Sequence, residues 1–150
     1  VYQMRPESRG TLALRSADPR DPPLIRPNHL SAPRDLIVLR EGVKRIREVF
    51  AQGPMDPFRG PELSPGPAVR SDAEIEAFIR RTAESVYHCT GTCRMGADEE
   101  SVVDARLRVR GVEGLRVADA SVMPTIPSTN TAAPTMMVAE RAAEFILGGE

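Results

Sequence analysis

Apolar residues recur at spacings of three and four through Leu36, Leu39, Val43, Ile46 and Phe50, with Arg40, Glu41, Lys44, Arg45, Arg47 and Glu48 on the positions between. That pattern predicts a helix with one apolar face; Ser31 offers a cap and Pro33 suits the first turn. "SDAE" at 71–74 reads as a capping box, with Ser71 as cap and Glu74 three residues on. It predicts a short helix to about Glu84 with Ile75, Phe78 and Ile79 inward. From about Pro134 to Leu147 the chain is apolar over most of a helical circumference, through Met136, Met137, Val138, Ala139, Ala142, Ala143, Phe145 and Ile146. A helix of that kind is expected to be buried inside something larger, and Gly148-Gly149 is a normal stop signal.

Elsewhere the period shortens to two. "GTLALRS" (10–16) alternates apolar and polar, "VYH" (86–88) has strand character, and 102–119 reads as two short strands, Leu107–Val109 and Leu115–Ala118, around the turn "GVEG". Three stretches break both periods. Residues 17–33 hold five prolines, 53–67 interrupt every possible helix with proline, and 120–134 are irregular.

A chain of 150 residues fits one domain or part of a larger one. Its formal net charge is −1, Lys44 is its only lysine and its arginines are scattered, so no field or stripe invites nucleic acid. No stretch approaches the roughly 20 apolar residues of a membrane helix. The sequence opens on Val1 in what resembles the middle of a sheet region, without a signal peptide, and reads as a fragment. Two cysteines make no disulfide scaffold; a reducing, cytoplasmic setting is the default expectation, with peripheral membrane association left open.

The densest chemistry is "SVYHCTGTCRMG" (85–96), where His88, Cys89 and Cys93 share six positions. Neighbours on an extended chain point opposite ways, and a structural zinc site usually takes four ligands at spacings such as C-x₂-C, so no metal site is expected. A Cys89–Cys93 disulfide is geometrically open but unmotivated; buried, inert thiols are the favoured reading. By residue type alone His88 reads as structural more readily than catalytic, and His29 more strongly so. The start of the last helix is a second candidate. Its unpaired N–H groups and positive dipole end favour a negative group, and Asn130 in "STNT" (128–131) lies just before it. Plain capping by Asn130 or Thr131 is an equal alternative.

"YHCTGTCRMG", followed by "VVDARLRVRGVEGLRVADASVMPTIPSTNTAAPTMMVAERAA", resembles the C-terminal signature of the glucose–methanol–choline (GMC) flavoprotein oxidoreductases. "RPESRGTLALRSADPRDPPLIRPNHLS" and "ELSPGP" resemble substrate-domain segments of its choline dehydrogenase-like branch. The likeness covers nearly the whole chain in family order. It departs at one place, Cys89, where the family usually has proline after the histidine.

The resemblance implies an α+β fold: a mostly antiparallel substrate-domain sheet with flanking helices, plus the last strand and helix of an FAD-binding domain, as a fragment of a larger two-domain fold. It implies that residues 1–100 belong to the substrate-binding region and that 101–150 complete the FAD-binding domain. The activity implied is oxidation of a primary alcohol, with the hydride passing to FAD. His88 matches the family's base, and an imidazole is able to accept a proton near pH 7. Asn130 matches the residue that meets the substrate oxygen, where an amide donates to a developing oxyanion without titrating. Asp119, Ala120, Asn130 and Thr131 match cofactor-contacting positions. No G-x-G-x-x-G occurs in the chain, so the expected partner is the N-terminal FAD-binding portion of the same enzyme, or a second copy. The isolated chain is expected to be an inactive folded piece without FAD.

Overall fold

The computed structural model describes residues 1–148; Gly149 and Glu150, and with them the second glycine of the expected stop signal, lie outside the described residues. The chain divides into two units, one spanning Val1–Val86 and one beginning at Tyr87.

In the first unit, Thr11–Ala13 (β1) and Leu24–Arg26 (β2) pair antiparallel, with Thr11 opposite Arg26, Leu12 opposite Ile25 and Ala13 opposite Leu24. The expected antiparallel sheet amounts to these two three-residue strands among the described residues. Gly10 permits the approach: a Cβ there would lie 2.3 Å from the Arg26 carbonyl oxygen.

Helix α1 (Pro33–Phe50) begins at Ala32, not at the expected Ser31 cap, and no side chain of its own start caps it. A distant serine serves instead, because the Ala32 N–H donates to Ser8 Oγ at 3.1 Å. The same serine hydroxyl donates to Asp35 Oδ2 at 2.5 Å, and the backbone N–H groups of Glu7 and Ser8 donate to the Asp35 carboxylate at 2.8 Å each. Asp35 is only 2% exposed, and its charge sits in the first turn, where the helix dipole favours it. Burial would push its carboxyl up; the Ser8 hydroxyl, the Glu7 and Ser8 N–H groups and the Gln3 side chain outweigh that and hold it below the usual carboxylate range.

Helix α2 (Asp72–Thr82) starts with the expected capping box, Ser71 accepting from the Glu74 N–H while the Glu74 side chain accepts from the Ser71 N–H. It ends two residues short of the expected Glu84. Ile75, Ile79 and Leu36 form the buried core of this unit, with Leu39, Val43 and Phe78 packed on it. Burying a side chain such as Ile75 is worth roughly 1.5–3 kcal/mol. The apolar stripe of α1 is not covered to its end: Ile46 and Phe50 are 41% and 47% exposed. Length accounts for this, since 18 residues of α1 extend about 27 Å whereas 11 residues of α2 extend about 16 Å. The charged face of α1 does more than meet water. Arg40 Nη1 reaches Glu76 at 2.7 Å and Asp72 at 3.3 Å, and Lys44 Nζ reaches Asp72 at 2.6 Å.

In the second unit, Val103, Leu107, Val122, Met123, Val138 and Ala142 form the core. The two strands expected in 102–119 form no ladder but do meet antiparallel across the expected turn, where Arg108 bridges Arg116, the Val109 N–H donates to the Leu115 carbonyl at 2.9 Å and the Val117 N–H donates to the Leu107 carbonyl at 3.1 Å; a further isolated bridge joins Val103 to Val109. Backbone dihedrals explain the loss. Leu107 has φ +64°, and Asp104 Oδ1 accepts from the N–H groups of Arg106 and Arg108, so the chain bends at the start of the first expected strand; Gly111 and Gly114, at φ +75° and +72°, lie in the expected turn. The expected strand character of "VYH" fails likewise, because Tyr87 has φ +60°. The last helix, α3, runs Ala132–Leu147, starting two residues before the expected Pro134. It buries Val138 and Ala142, one turn apart on one face, while Met136, Met137, Ile146 and Leu147 are exposed. No helix among the described residues is long and apolar enough to cross a membrane.

Candidate active site

His88 opens a loop whose backbone is tied to the segment just ahead of α3. The N–H groups of Gly91 and Cys93 both donate to the Ser121 carbonyl at 3.0 Å, and that of Met95 donates to the Val122 carbonyl at 2.8 Å. Ser121 and Val122 belong to a 3₁₀ turn, Ala120–Val122, capped by Asp119, whose Oδ1 accepts from the Ser121 N–H at 2.8 Å. Farther along, Arg94 grips Asp98 through two nitrogens, at 2.9 and 2.7 Å. That guanidinium holds the Asp98 carboxyl down at about 2.

The imidazole of His88 is half-buried, and its Nδ1 is hydrogen-bonded to Thr131 Oγ1 at 3.0 Å. Thr131 is the N-cap of α3 and is itself 8% exposed. It does not cap in the usual way. Its φ and ψ are −77° and −10°, helical rather than extended, and its hydroxyl makes no capping bond to the helix. Pro134, the third residue of α3, has no N–H to be capped. The hydroxyl is thereby released from the helix and turned to the histidine.

The other predicted residues fall around this pair unevenly. Asp119 is exposed and Ala120 half-buried, both on the turn that anchors the histidine loop. Asn130 is exposed, immediately before Thr131, and no hydrogen bond joins it to His88 among the described residues. Capping by the Asn130 or Thr131 side chain is not seen. The thiols are both free, with Cys89 exposed and Cys93 half-buried; the expectation of buried thiols fails because the loop lies at the surface. His29 is exposed in the first unit. Among the described residues no three His, Cys, Asp or Glu side chains gather as a metal group. The partnership of the Thr131 side chain with His88 was not foreseen. Its signal was present in the sequence: a threonine three residues ahead of a proline at a helix start lacks the N–H it would cap.

The open end of α3 is chemically suited to an electron-rich group. No acidic residue lies in its first turn and no side chain caps it, so the positive end of the helix is not neutralised from within.

Residues 6–139 match the family described as GMC oxidoreductase. The chain is 54% identical to mitochondrial choline dehydrogenase of Mus musculus over 150 residues, 99% of this chain and 25% of that protein. It is 50% identical to an alcohol dehydrogenase [acceptor] of Pseudomonas putida over 98% of this chain and 27% of that protein. Among solved structures, an FAD-dependent oxidoreductase from Chaetomium thermophilum superposes with a TM-score of 0.89 at 35% identity, over 95% of this chain and 25% of that one. The chain thus spans about a quarter of the length of the curated relatives it matches. With the family matched over most of its length and the fold shared, the chain belongs to the GMC oxidoreductases.

Proposed function

We propose that this chain supplies the proton-accepting part of an FAD-dependent oxidoreductase that oxidises a primary alcohol, in the manner the names of its choline and alcohol dehydrogenase relatives suggest. One observation carries the reading: the His88 imidazole is hydrogen-bonded to the residue that begins α3. The un-neutralised start of α3 supports the cofactor assignment, with Asn130 and Thr131 at the helix start and Asp119 and Ala120 on the preceding turn as the contacting positions. Bound FAD supplies the hydride acceptor; the protein's part is position and electrostatics.

With Nδ1 held by Thr131, Nε2 of His88 takes the hydroxyl proton of the alcohol. A positioned general base contributes roughly 10²–10⁴-fold. The Asn130 amide donates to the substrate oxygen as negative charge gathers there. In this assignment residues 1–100 serve the substrate side and residues from 101 onward complete the cofactor side. The exposed Met136, Met137, Ile146 and Leu147 of α3 are the surface that the remaining portion of the enzyme, or a second copy, covers.

The test is a chimera in which this chain replaces the matching quarter of mouse choline dehydrogenase. The purified chimera is expected to carry flavin absorbance and to reduce an artificial electron acceptor when given a primary alcohol. A flavin-loaded chimera inert toward choline and other primary alcohols contradicts the assignment.

A further inference from the structure

We propose that Thr131 is a positioning residue that fixes His88 as its Nδ1–H tautomer, leaving Nε2 bare; the consequence for catalysis rests on the reading of His88 as the base. A neutral imidazole has one nitrogen that donates and one that accepts, and the partner of one nitrogen decides the role of the other. His88 has a protein partner at Nδ1 alone among the described residues, Thr131 Oγ1 at 3.0 Å. A hydroxyl both donates and accepts, so the distance by itself leaves the tautomer open.

The helix start resolves it. A threonine at an N-cap ordinarily spends its oxygen lone pairs on the N–H of the second or third helical residue. Thr131 has helical dihedrals, makes no such bond, and is followed by Pro134 at the third position, which has no N–H. Thr131 is buried, and neither of those positions donates to its hydroxyl. An N–H from Nδ1 supplies the missing donor. The arrangement also serves both charge states. When Nε2 gains a proton the ring donates from both nitrogens, and an accepting hydroxyl at Nδ1 needs no rearrangement. A hydroxyl donating to Nδ1 would place the neutral ring's proton on Nε2 and leave it no lone pair to receive one.

These 150 residues contain two histidines, His29 and His88, so ¹⁵N labelling of histidine gives two readable imidazoles. Long-range ¹⁵N–¹H correlation at about pH 8, where an ordinary imidazole is neutral, is expected to show His88 with a protonated Nδ1 and a bare Nε2. Thr131→Val is expected to shift His88 toward the Nε2–H form with the His29 pattern unchanged, and Thr131→Ser to keep the original pattern. An Nε2–H His88 in the unsubstituted chain, or the same His88 pattern in Thr131→Val, overturns the proposal; the first of these is decisive even where the valine variant does not fold. In the flavin-loaded chimera, Thr131→Val should lower kcat about 10- to 100-fold, the range known for histidine ligands that lose their orienting partner. With the rate taken per bound flavin, KM should hold, and Thr131→Ser should restore the rate. Because the tautomer is read without flavin or turnover, the two readings fail separately. A His88→Ala chimera with full activity removes the base and leaves the tautomer; an Nε2–H tautomer beside an inactive His88→Ala chimera removes the role of Thr131 and the assignment of Nε2 as the accepting atom, and leaves the need for His88 standing.

Discussion

The backbone N–H of Cys93 donates to the Ser121 carbonyl at 3.0 Å, sharing that oxygen with the N–H of Gly91. One carbonyl on the turn ahead of α3 therefore anchors the loop that carries His88. Gly91 makes the sharing feasible with φ +91°. A Cβ at this position would meet the Met123 and Pro124 carbonyl oxygens only at 3.6 and 3.8 Å, so the cost of alanine is conformational rather than steric. Gly91→Ala is expected to destabilise the second unit by about 1–2 kcal/mol. Denaturant unfolding measures it, and a neutral substitution would show that the loop is not held in this conformation.

Asp35 joins the N-terminal segment to the start of α1 through hydrogen bonds from Glu7, Ser8 and Gln3, and Asp35→Ala leaves their donors without this partner. Bonds to a charged group are worth about 1.5–3 kcal/mol each, and they are not additive, so a loss of about 3 kcal/mol in the first unit is expected. The carboxyl is held below its ordinary value in the folded state. Its contribution is thus fully present above the unfolded carboxylate pKa of about 3.9 and is lost as pH falls through the depressed folded value. Asp35→Asn should flatten the acid limb of the stability profile; an unchanged limb would assign acid unfolding to other carboxylates.

How much of this was legible depended on sequence distance. The Ser71–Glu74 capping box is a local signal and appears as expected. The inward side of α1 was readable at Leu36, Leu39 and Val43, but which part of that stripe is buried depends on the reach of α2, which periodicity does not carry. The start of α1 was misread because its effective cap, the Ser8 hydroxyl, comes from 24 residues away. The strands expected in 102–119 shrink to isolated antiparallel bridges because Asp104 and the left-handed Leu107 bend the chain at the start of the first of them. At the site, His88 stood out by motif. Its threonine partner lies 43 residues on, beyond any local pattern.

The Arg94–Asp98 pair gives a titration that requires no activity. The Asp98 carboxyl is held at about 2 by the Arg94 guanidinium. An NMR titration should find its midpoint there, and Arg94→Ala should move it up toward the ordinary value near 3.9. Because the folded value is depressed, any stability the pair contributes is present above about pH 4 and fades as pH drops toward 2. A midpoint near 4 in the unsubstituted chain would mean that the two-nitrogen grip is not maintained in solution.

The role assigned to His88 is tested most directly by anaerobic mixing of a primary alcohol with the flavin-loaded chimera carrying His88→Ala, following the bleaching of the flavin. The expected result is a fall of about 100-fold or more in the bleaching rate, with flavin content and absorbance retained. Bleaching within a few fold of the unsubstituted chimera would contradict the account, since the proton would then be leaving the alcohol without this imidazole.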